Sequence, residues 1–408
     1  MVIKDARAFI ELPYGDSSLR FAIPSGWKIV QELIPQDNGY TRLDSKAIEA
    51  SLLFPIQASR LRDLARNKRK IVIIIDDLTR MTPCDLIIPY LFEELYRAGD
   101  STAKPKVVIV GASASHRPMT RKDFIKKVSA TLAQELYFEP HDATKNLVFF
   151  GKTSRGTPVW INKTVAEADL KIGVGTIIPH ATAGFSGGGK IILPGVAGLA
   201  TIQANHNIVR DRQPGGHDLP MREDIEEAAK MVGLDFVVNC VLSNKGELLQ
   251  IFSGDFVAAQ RAGAQFAAGI YGVRRDSLTD ITIVGSNPIH LDLYQACKAL
   301  SVATQATKEN GVILWFGACP EGIGYHAICM AEGEYRQRLL QRLQQLAAQY
   351  NIVFCSPNVS EADFYSFCPP GFKIVHSPQE AFDLLNEYLS KTLTVNVIPY
   401  GPVTYITD

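Results

Sequence analysis

Three short apolar runs in the first half of the chain alternate with longer segments of helical periodicity. The apolar runs cover residues 70–75, 106–110 and 170–174, and the helical segments cover residues 84–98 and 121–136. Continuous apolar runs between amphipathic helices are typical of the buried strands of a parallel sheet. Thr120 is a suitable N-cap for the second helix. The pattern therefore predicts an α/β domain with helices packed on a sheet.

Polar loops follow all three predicted strands. We call them the aspartate loop (residues 76–80), the serine–histidine loop (residues 113–118) and the glycine-rich loop (residues 179–190). In open α/β sheets, ligands bind at the carboxyl ends of the strands. We therefore expect these three loops to lie together and to form a ligand site.

The pattern restarts after residue 276. Strand-like runs cover residues 280–285, 311–316 and 352–355, and helical segments cover residues 291–303, 332–350 and 378–389. The predicted fold class is therefore α/β, with two α/β domains and a ligand cleft between them. We place a ligand-binding N-terminal domain at residues 1–265 and a C-terminal α/β domain at residues 275–408. Short strands are expected in residues 1–35, and the last strand-like run, 393–398, could return to the first domain.

Composition argues against several classes of protein. The 408 residues include 42 Lys plus Arg and 42 Asp plus Glu, so net charge gives no reason to expect nucleic acid or an anionic membrane as a partner. No apolar run reaches transmembrane length, and the start, Met1–Arg7, lacks the pattern of a signal peptide. The seven cysteines are scattered without a C-x-x-C pair, which is typical of reduced thiols. We expect a cytoplasmic protein.

The glycine-rich loop has two competing interpretations. Gly184–Lys190 fits the G-x-x-x-x-G-K pattern of a nucleotide-binding P-loop, but Ile191 stands where a serine or threonine would hold Mg²⁺. Pro194 would also interrupt the helix that a P-loop lysine begins. A plain connector would explain the glycines but not the lysine or the histidines nearby. A lysine in such a loop can bind a phosphate or act as a nucleophile.

Side chains of the other loops suggest acid–base chemistry. Asp77 and Arg80 follow a buried strand, and the planar fork of a guanidinium suits a carboxylate or a phosphate. Alternatively, the two residues only pin a turn. His116 and His180 follow two different strands. They could exchange protons on opposite faces of a bound substrate, or either could be an ordinary surface histidine.

Four further residues are weaker candidates for a functional site: one histidine and three residues of a helix in the second domain. His206 alone is a poor metal site, because protein-only sites need three or four ligands. Tyr294, Gln295 and Lys298 lie on a predicted helix of the second domain, where Lys298 can share a face with either neighbour. That face could close over the cleft or face solvent. We interpret the remaining histidines as structural: His141, His217, His290, His326 and His376.

Taken in order along the chain, these motifs resemble the lactate racemase family of nickel-pincer-nucleotide enzymes. The resemblance covers nearly the whole chain. The matching pieces are residues 76–80 with Pro83, 116–120, 179–180, 184–190, 193–196, 205–206 and 294–295 with Lys298. One such motif alone is weak, whereas the ordered set is specific.

The resemblance implies a nickel-pincer nucleotide cofactor, Ni pyridinium-3,5-bisthiocarboxylic acid mononucleotide. Lys190 matches the position that attaches this cofactor covalently through a thioamide, and Ser186, Gly187 and Gly188 belong to the same cofactor-binding loop. His206 matches the protein ligand to nickel, and three donors from the cofactor would complete a square-planar site. Separate cofactor-biosynthesis proteins are implied as partners.

The resemblance also implies the reaction, which is the racemisation or epimerisation of a small-molecule 2-hydroxyacid. Hydride leaves C2 for the cofactor while one histidine takes the hydroxyl proton, and hydride then returns to the other face of the planar 2-keto acid. His116 and His180 match the two catalytic histidines. The substrate-binding positions are matched by Arg80, Lys298, Gln295, Tyr294 and Asp77.

One position departs from the family pattern, and one further function is a competitor. Gly189 stands where the family has a larger basic residue, which affects the shape or charge of the loop. A non-catalytic carrier of the nickel cofactor would need only Lys190 and His206. Such a carrier would have no use for Arg80 or for the two catalytic histidines, so an enzyme is favoured.

Overall fold

The computed structural model describes residues 9–37, 39–97, 105–208, 219–389 and 391–407. The sequence start Met1–Arg7 and His217, both interpreted above, lie outside these described residues. The chain forms two compact units, which we describe one at a time. Within the described ranges, the larger unit contains residues 37–270 and 326–328, and the smaller unit contains residues 9–36, 271–325 and 329–407.

The larger unit is built on a sheet that contains all three strands predicted for the first domain. In the part of the chain that the structure describes, this sheet has six strands, in the spatial order Leu248–Gly254, Phe236–Leu242, Leu170–Thr176, Lys70–Asp76, Lys106–Ala112 and Tyr137–Pro140. All neighbours are parallel except the first two. The three predicted strands are therefore adjacent, and the loops that follow them leave the same edge of the sheet.

Alternate residues of the central strand pack against a helix on one face of this sheet. Ile71 and Ile73 lie in the same buried cluster as Ile87 and Leu91 of the helix Cys84–Tyr96. Strand residues two apart lie on the same face of a sheet, and helix residues four apart lie on the same side of a helix. The apolar face of the strand can therefore pack against the apolar side of the helix. Each such buried side chain contributes roughly 1.5–3 kcal/mol. This packing fixes the strand end at which the aspartate loop begins.

Both helices predicted for the larger unit are present, but the second is divided at Ser129. Its φ of 76° interrupts the helix predicted over 121–136. Thr120 caps the first piece as predicted, because its side chain accepts a hydrogen bond from the Asp123 amide. The helices are Ser45–Leu53, Leu61–Leu64, Cys84–Tyr96, Arg121–Val128, Ala130–Glu135, Lys163–Ala166, Leu199–Asn207, Pro220–Val232 and Ala258–Tyr271, with a 3₁₀ turn at Gly188–Ile191. Two small antiparallel pairs are Leu147–Lys152 with Pro158–Asn162 and Pro179–His180 with Gly184–Phe185.

The smaller unit contains a second, wholly parallel sheet. Among the described residues its strands lie in the order Lys373–Val375, Asn351–Cys355, Thr307–Phe316, Thr279–Gly285, Leu393–Ile398 and Trp27–Glu32. Further pairs are Phe9–Tyr14 with Ser17–Ala22 and Gly272–Arg274 with Tyr405–Thr407. The predicted α/β class is confirmed in both units.

The division of the chain differs from the prediction at both ends. Residues 9–36 belong to the smaller unit, because Trp27–Glu32 pairs with Leu393–Ile398 and the Trp27 ring is buried in that unit's core. Leu393–Ile398 stays in this sheet and does not return to the larger unit, since its other edge pairs with Thr279–Gly285. The chain passes from the larger to the smaller unit after residue 270.

The remaining helices lie in the second half of the chain. The helix predicted over 291–303 consists of short pieces, Leu293–Ala296, a 3₁₀ turn Cys297–Ala299, and Leu300–Ala306. The others are Ala327–Met330, Glu334–Gln349, Glu361–Phe367, Pro378–Leu384 and Asn386–Leu389, with a 3₁₀ turn Gly401–Val403. None of the helices in the described ranges is both long enough and apolar enough to cross a membrane.

Candidate active site

The aspartate loop folds back on the side chain of Asp77. The Thr79 amide and hydroxyl both donate to Asp77 Oδ1, at 3.0 and 2.5 Å. This is the local turn that an aspartate forms with the backbone two residues on. Arg80 Nη1 donates to the carbonyl and hydroxyl oxygens of Thr79, at 3.0 and 2.9 Å. The loop thereby leaves Asp77 Oδ2 for a partner outside itself.

A buried lysine, Lys127, supports the aspartate loop from the helix Arg121–Val128. Its ammonium donates to the carbonyl oxygens of Asp77 and Arg80, at 3.1 and 2.7 Å, and lies 2.7 Å from Asp76 Oδ1. Burial lowers the pKa of Lys127, but the carboxylate of Asp76 outweighs this and the net pKa is raised. Lys127 is therefore a charged anchor. Sequence reasoning missed it, because one lysine on an amphipathic helix carries no signal of burial.

His116 is held by Asp77. Its Nδ1 lies 2.7 Å from Asp77 Oδ2. Burial raises the pKa of Asp77, but the nearby His116, Thr79 and Arg80 outweigh it and hold that pKa below its ordinary value. An ionised carboxylate only accepts hydrogen bonds, so Nδ1 must donate and Nε2 of the neutral ring carries the lone pair. The pair is arranged like the aspartate and histidine of a general-base system.

A second histidine, His326, lies against His116, although its sequence context indicated a purely structural residue. The two residues form an antiparallel bridge, and the Ala327 amide donates to the Ser115 carbonyl at 2.7 Å. The centroids of the two imidazole rings are 5.1 Å apart, and His326 Nδ1 is 3.3 Å from Ser115 Oγ. No local pattern predicts a contact across so much sequence. His141, in contrast, is a core residue whose pKa burial lowers to about 4.

The first half of the glycine-rich loop is shaped by Ser186. Its hydroxyl donates to the Thr176 carbonyl at 2.6 Å and accepts from the Ile178 amide at 2.9 Å. Both partners precede the loop, so Ser186 pins the loop back onto the end of the strand Leu170–Thr176. The described contacts of this hydroxyl are structural, and its predicted contact with a cofactor stays a prediction.

His180 is held by the backbone of the same loop. The amides of Thr182 and Ala183 point at His180 Nδ1, at 3.4 and 3.2 Å. The hydroxyl of Thr182 lies 3.3 Å from the same atom. Backbone N–H groups only donate, so Nδ1 accepts and Nε2 carries the proton of the neutral ring. The two candidate catalytic histidines therefore hold opposite tautomers.

The three consecutive glycines are required by packing within the protein. Gly187 and Gly188 have φ of 80° and 58°, and the Gly188 amide donates to Asn239 Oδ1 at 2.8 Å. At Gly189 a Cβ would lie 3.0 Å from the Cβ of Ala229, which belongs to the helix Pro220–Val232. A side chain at this position would therefore need the helix to give way by a few tenths of an ångström.

Lys190 is half-buried in the 3₁₀ turn Gly188–Ile191, and not at the start of an α-helix. The amides of the loop are used within the protein, since the Gly188 amide donates to Asn239 Oδ1 and the Lys190 amide donates to the Gly187 carbonyl. A P-loop directs such amides at phosphates, so this geometry argues against the nucleotide-binding alternative. The Ala114 amide donates to the Gly195 carbonyl at 2.9 Å and ties this segment to the serine–histidine loop.

A buried arginine, Arg222, lies under the glycine-rich loop. It is 1% exposed and donates to the carbonyl oxygens of Ala183, Phe185 and Gly187. Burial lowers its pKa to about 10. Sequence reasoning missed this residue too, because its helix has the ordinary amphipathic pattern of a surface element.

The ring of His206 has the orientation expected of a metal ligand. His206 Nδ1 lies 2.8 Å from the Ile202 carbonyl, which can only accept, so the lone pair of the neutral ring is on Nε2. The neighbouring Asn205 is anchored by the buried carboxylate of Asp224 at 2.7 Å. The described residues contain no cluster of three or more His, Cys, Asp or Glu side chains that could hold a metal by themselves. A lone histidine of this kind fits a metal whose other donors come from a cofactor.

The predicted substrate residues of the smaller unit form a cluster of their own. Lys298 Nζ donates to Gln295 Oε1 at 2.5 Å, and the Gln295 amide donates to Asp292 Oδ1 at 2.8 Å. Tyr294 packs edge-on against Phe367 with ring centroids 4.7 Å apart, and burial raises its pKa to about 12. Gln295 and Tyr294 are buried, so the alternative of a solvated helix face does not hold for them.

Sequence relatives identify the family of this chain. The family model described as "Lactate racemase N-terminal domain" matches residues 14–216. A lactate racemase of Thermoanaerobacterium thermosaccharolyticum is 33% identical over 341 residues, which are 81% of this chain and 77% of that protein. The chain belongs to the lactate racemase family. A lactate racemase of Lactiplantibacillus plantarum is 32% identical over 326 residues, 77% of this chain and 76% of that protein.

This member of the lactate racemase family also shares its fold with solved structures. The lactate racemase apoprotein from Thermoanaerobacterium thermosaccharolyticum has a TM-score of 0.78 at 27% identity, covering 98% of this chain and all 100% of that one. A Thermotoga maritima protein has a TM-score of 0.69 at 17% identity, covering 90% of this chain, and its likeness concerns the fold alone. The resemblance predicted from the motifs is confirmed. The cleft between two domains stays a prediction.

Proposed function

We propose that this member of the lactate racemase family is a racemase or epimerase of a 2-hydroxycarboxylic acid, with a nickel-pincer nucleotide as its cofactor. The observation that carries the proposal is the pairing of His116 with the ionised Asp77 beside the loop that holds Lys190. A supported general base, in a loop that is bonded to the segment after a half-buried lysine, suits chemistry on a small polar substrate.

The chain's own residues fit this cofactor. Lys190 would attach it, and Nε2 of His206 would complete the coordination of nickel. Ser186, Gly187 and Gly188 would hold the loop close to it. When bound, the nucleotide supplies a reversible acceptor for the hydride of substrate C2.

His116 and His180 would exchange the hydroxyl proton on opposite faces of C2. In one direction His116 Nε2 takes the proton as a base, and the carboxylate of Asp77 stabilises the resulting imidazolium. His180, starting as an imidazolium, gives its Nε2 proton to the product oxygen. This leaves the Nδ1–H tautomer, opposite to the one that the amides of Thr182 and Ala183 favour, and the hydroxyl of Thr182 can accept a hydrogen bond from Nδ1 because a hydroxyl both donates and accepts. The reverse direction exchanges the two roles.

Arg80 would hold the substrate carboxylate. Its Nη1 is already fixed by Thr79, so its fork is oriented before substrate arrives. Lys298, Gln295 and Tyr294 are proposed as further substrate-binding residues, and the contact between Lys298 and Gln295 supports their acting together.

Two other functions receive less support. A nucleotide-using P-loop enzyme is disfavoured by Ile191 and by the internal use of the amides around Lys190. A non-catalytic cofactor carrier would leave the pairing of His116 with Asp77 without a purpose.

A panel of enantiopure 2-hydroxyacids, including lactate, malate, longer aliphatic, aromatic and sugar acids, tests the activity. Protein co-produced with cofactor-making proteins should convert one member into its mirror image or epimer. Loaded protein that leaves every member unchanged would contradict the proposal.

Intact mass and nickel content test the residues that bind the cofactor. Lys190→Ala should lose a mass adduct that maps to Lys190 in the parent protein. His206→Ala should keep the adduct and lose nickel, because only the protein ligand is removed. A Lys190→Ala protein that still carries the adduct would refute the covalent role.

A further inference from the structure

We propose that Arg222 is a positioning residue, through which the helix Pro220–Val232 sets the ring orientation of His180 and the shape of the loop that holds Lys190. The role of His180 in this inference rests on the proposed function. The position of Arg222 does not, because it follows from contacts within the larger unit.

The contacts of Arg222 all run to one loop. Nε and Nη2 donate to the Ala183 carbonyl at 3.3 Å, Nη2 also donates to Phe185, and Nη1 donates to the Gly187 carbonyl at 3.3 Å. A planar guanidinium presents several donors in a rigid fork, so a single side chain can set three peptide groups. An ammonium, which is a compact point charge, cannot reach the same set.

One residue, Ala183, connects Arg222 to His180 through its carbonyl and its amide. The carbonyl of Ala183 accepts from Arg222, and the amide of Ala183 donates to His180 Nδ1 at 3.2 Å. By fixing the carbonyl of Ala183, Arg222 therefore also fixes the position of the Ala183 N–H group that faces the His180 ring. On the other side of the loop, the Gly187 carbonyl accepts from both Arg222 and the Lys190 amide.

The charge of Arg222 is not neutralised by an ion pair. In the described ranges no carboxylate oxygen lies within ion-pair distance of it, and Glu226, on the same helix, is engaged by Arg261 at 2.7 Å. A buried charge without a counterion costs stability, and here loop carbonyls are the compensating groups. A neutral side chain of similar volume would avoid that cost. The presence of an arginine therefore points to the geometry that its fork imposes.

Heteronuclear NMR of the apoprotein with labelled histidines tests this directly. At alkaline pH, where the rings are neutral, the ring nitrogen shifts of parent His180 should show a proton on Nε2. Arg222→Lys and Arg222→Met should give a mixture of tautomers at His180 and leave the His116 signals unchanged. Arg155→Gln is the matched control, because Arg155 pairs with Glu223 on the exposed side of the same helix.

Three outcomes would overturn the inference. The first is a parent His180 with its proton on Nδ1, a measurement that needs no variant to fold. The second is a pure Nε2–H signal in both folded Arg222 variants. The third is an Arg155→Gln protein that changes His180 as much as Arg222→Lys does.

Kinetics of the loaded enzyme provide a second readout. Arg222→Lys should lower kcat by roughly ten- to a hundredfold, as expected for a small misplacement of reacting groups, with KM nearly unchanged. The melting temperature of Arg222→Lys should fall below that of Arg155→Gln, because buried loop carbonyls lose their donors, so kcat is compared at a temperature at which both variants are folded. If the parent protein racemises nothing while the NMR result holds, the proposed function fails and the positioning role of Arg222 stands.

Discussion

The two candidate catalytic histidines rest on different kinds of support. His116 faces an ionised carboxylate, and a buried lysine anchors the backbone of the loop that carries this carboxylate. His180 faces backbone amides, and a buried arginine anchors the loop that carries them. In both regions a buried cation from a helix holds main-chain carbonyls. The regions differ in what they offer the ring, which is a negative charge at His116 and N–H donors at His180.

This difference shows how the surroundings of a histidine can favour either its imidazolium form or its neutral form. A carboxylate stabilises an imidazolium, whereas N–H donors at Nδ1 stabilise a neutral ring with its proton on Nε2. The hydroxyl of Thr182 is the group in the His180 region that can also accept a proton from Nδ1.

The largest effect is expected from removing either ring. His116→Ala and His180→Ala should each suppress racemisation in both directions by ~10²–10⁴-fold, because the base of one direction is the acid of the other. With substrate deuterated at C2, each variant should still form the 2-keto acid from one enantiomer only. The preferred enantiomer should differ between the two variants. If both variants prefer the same enantiomer, the two histidines do not act on opposite faces of C2.

The anchor of the His116 region should matter for stability. Lys127→Met leaves the carboxylate of Asp76 and two loop carbonyls without their buried cation. Loss of one partner of a buried ion pair typically costs about 3–5 kcal/mol, so the larger unit should melt at lower temperature. Lys145→Met removes an exposed lysine paired with Asp142 and serves as the control. Equal melting temperatures for the two variants would contradict the anchoring role.

The negative charge of Asp77, which faces His116, can be removed while the shape of the side chain at position 77 is kept. Asp77→Asn should lower kcat by about a hundredfold, because an amide neither stabilises the imidazolium nor enforces one tautomer. Apoprotein NMR should show mixed tautomers at His116 and an unchanged His180. A His116 ring that keeps its proton on Nδ1 in this variant would show that the carboxylate is not what orients it.

The smallest effect is expected at Thr182. Thr182→Val removes the hydroxyl near His180 Nδ1 and keeps the backbone amide, so it should slow racemisation by up to about tenfold, the size of one neutral hydrogen bond. Thr164→Val, which loses a hydroxyl bonded to Glu139, is the control. Formation of 2-keto acid should suffer for the enantiomer that His180 deprotonates. An equal effect on both enantiomers would place Thr182 outside the His180 region.

Local patterns predicted three adjacent strands of the larger unit and the polar loops that follow them. The strands that begin at Lys70, Lys106 and Leu170 were identifiable from short runs rich in apolar residues, and the cap at Thr120 from its residue type. Their adjacency followed from the rule that ligand loops gather at one edge of a parallel sheet. Such signals reside in a few consecutive residues, so they are visible without a structure.

The supports of the site could not be predicted in this way. Lys127, Arg222 and His326 each act through contacts with residues far away in sequence, and their own neighbours along the chain have ordinary helical or loop patterns. The same is true of Trp27, whose strand joins a sheet made from the other end of the chain. Distant pairing is decided by packing across the fold, for which a single sequence carries little signal.

The pairing of Trp27–Glu32 with Leu393–Ile398 has a consequence for how the protein is made. A ribosome delivers the first strand long before its partner, while residues 37–270 of the larger unit emerge as one stretch. Units generally fold as they are completed during synthesis, so the larger unit should mature first and the early strand should wait for the last part of the chain. We expect stalled nascent chains that end at about residue 330 to contain a protease-resistant larger unit and an unprotected N-terminal strand.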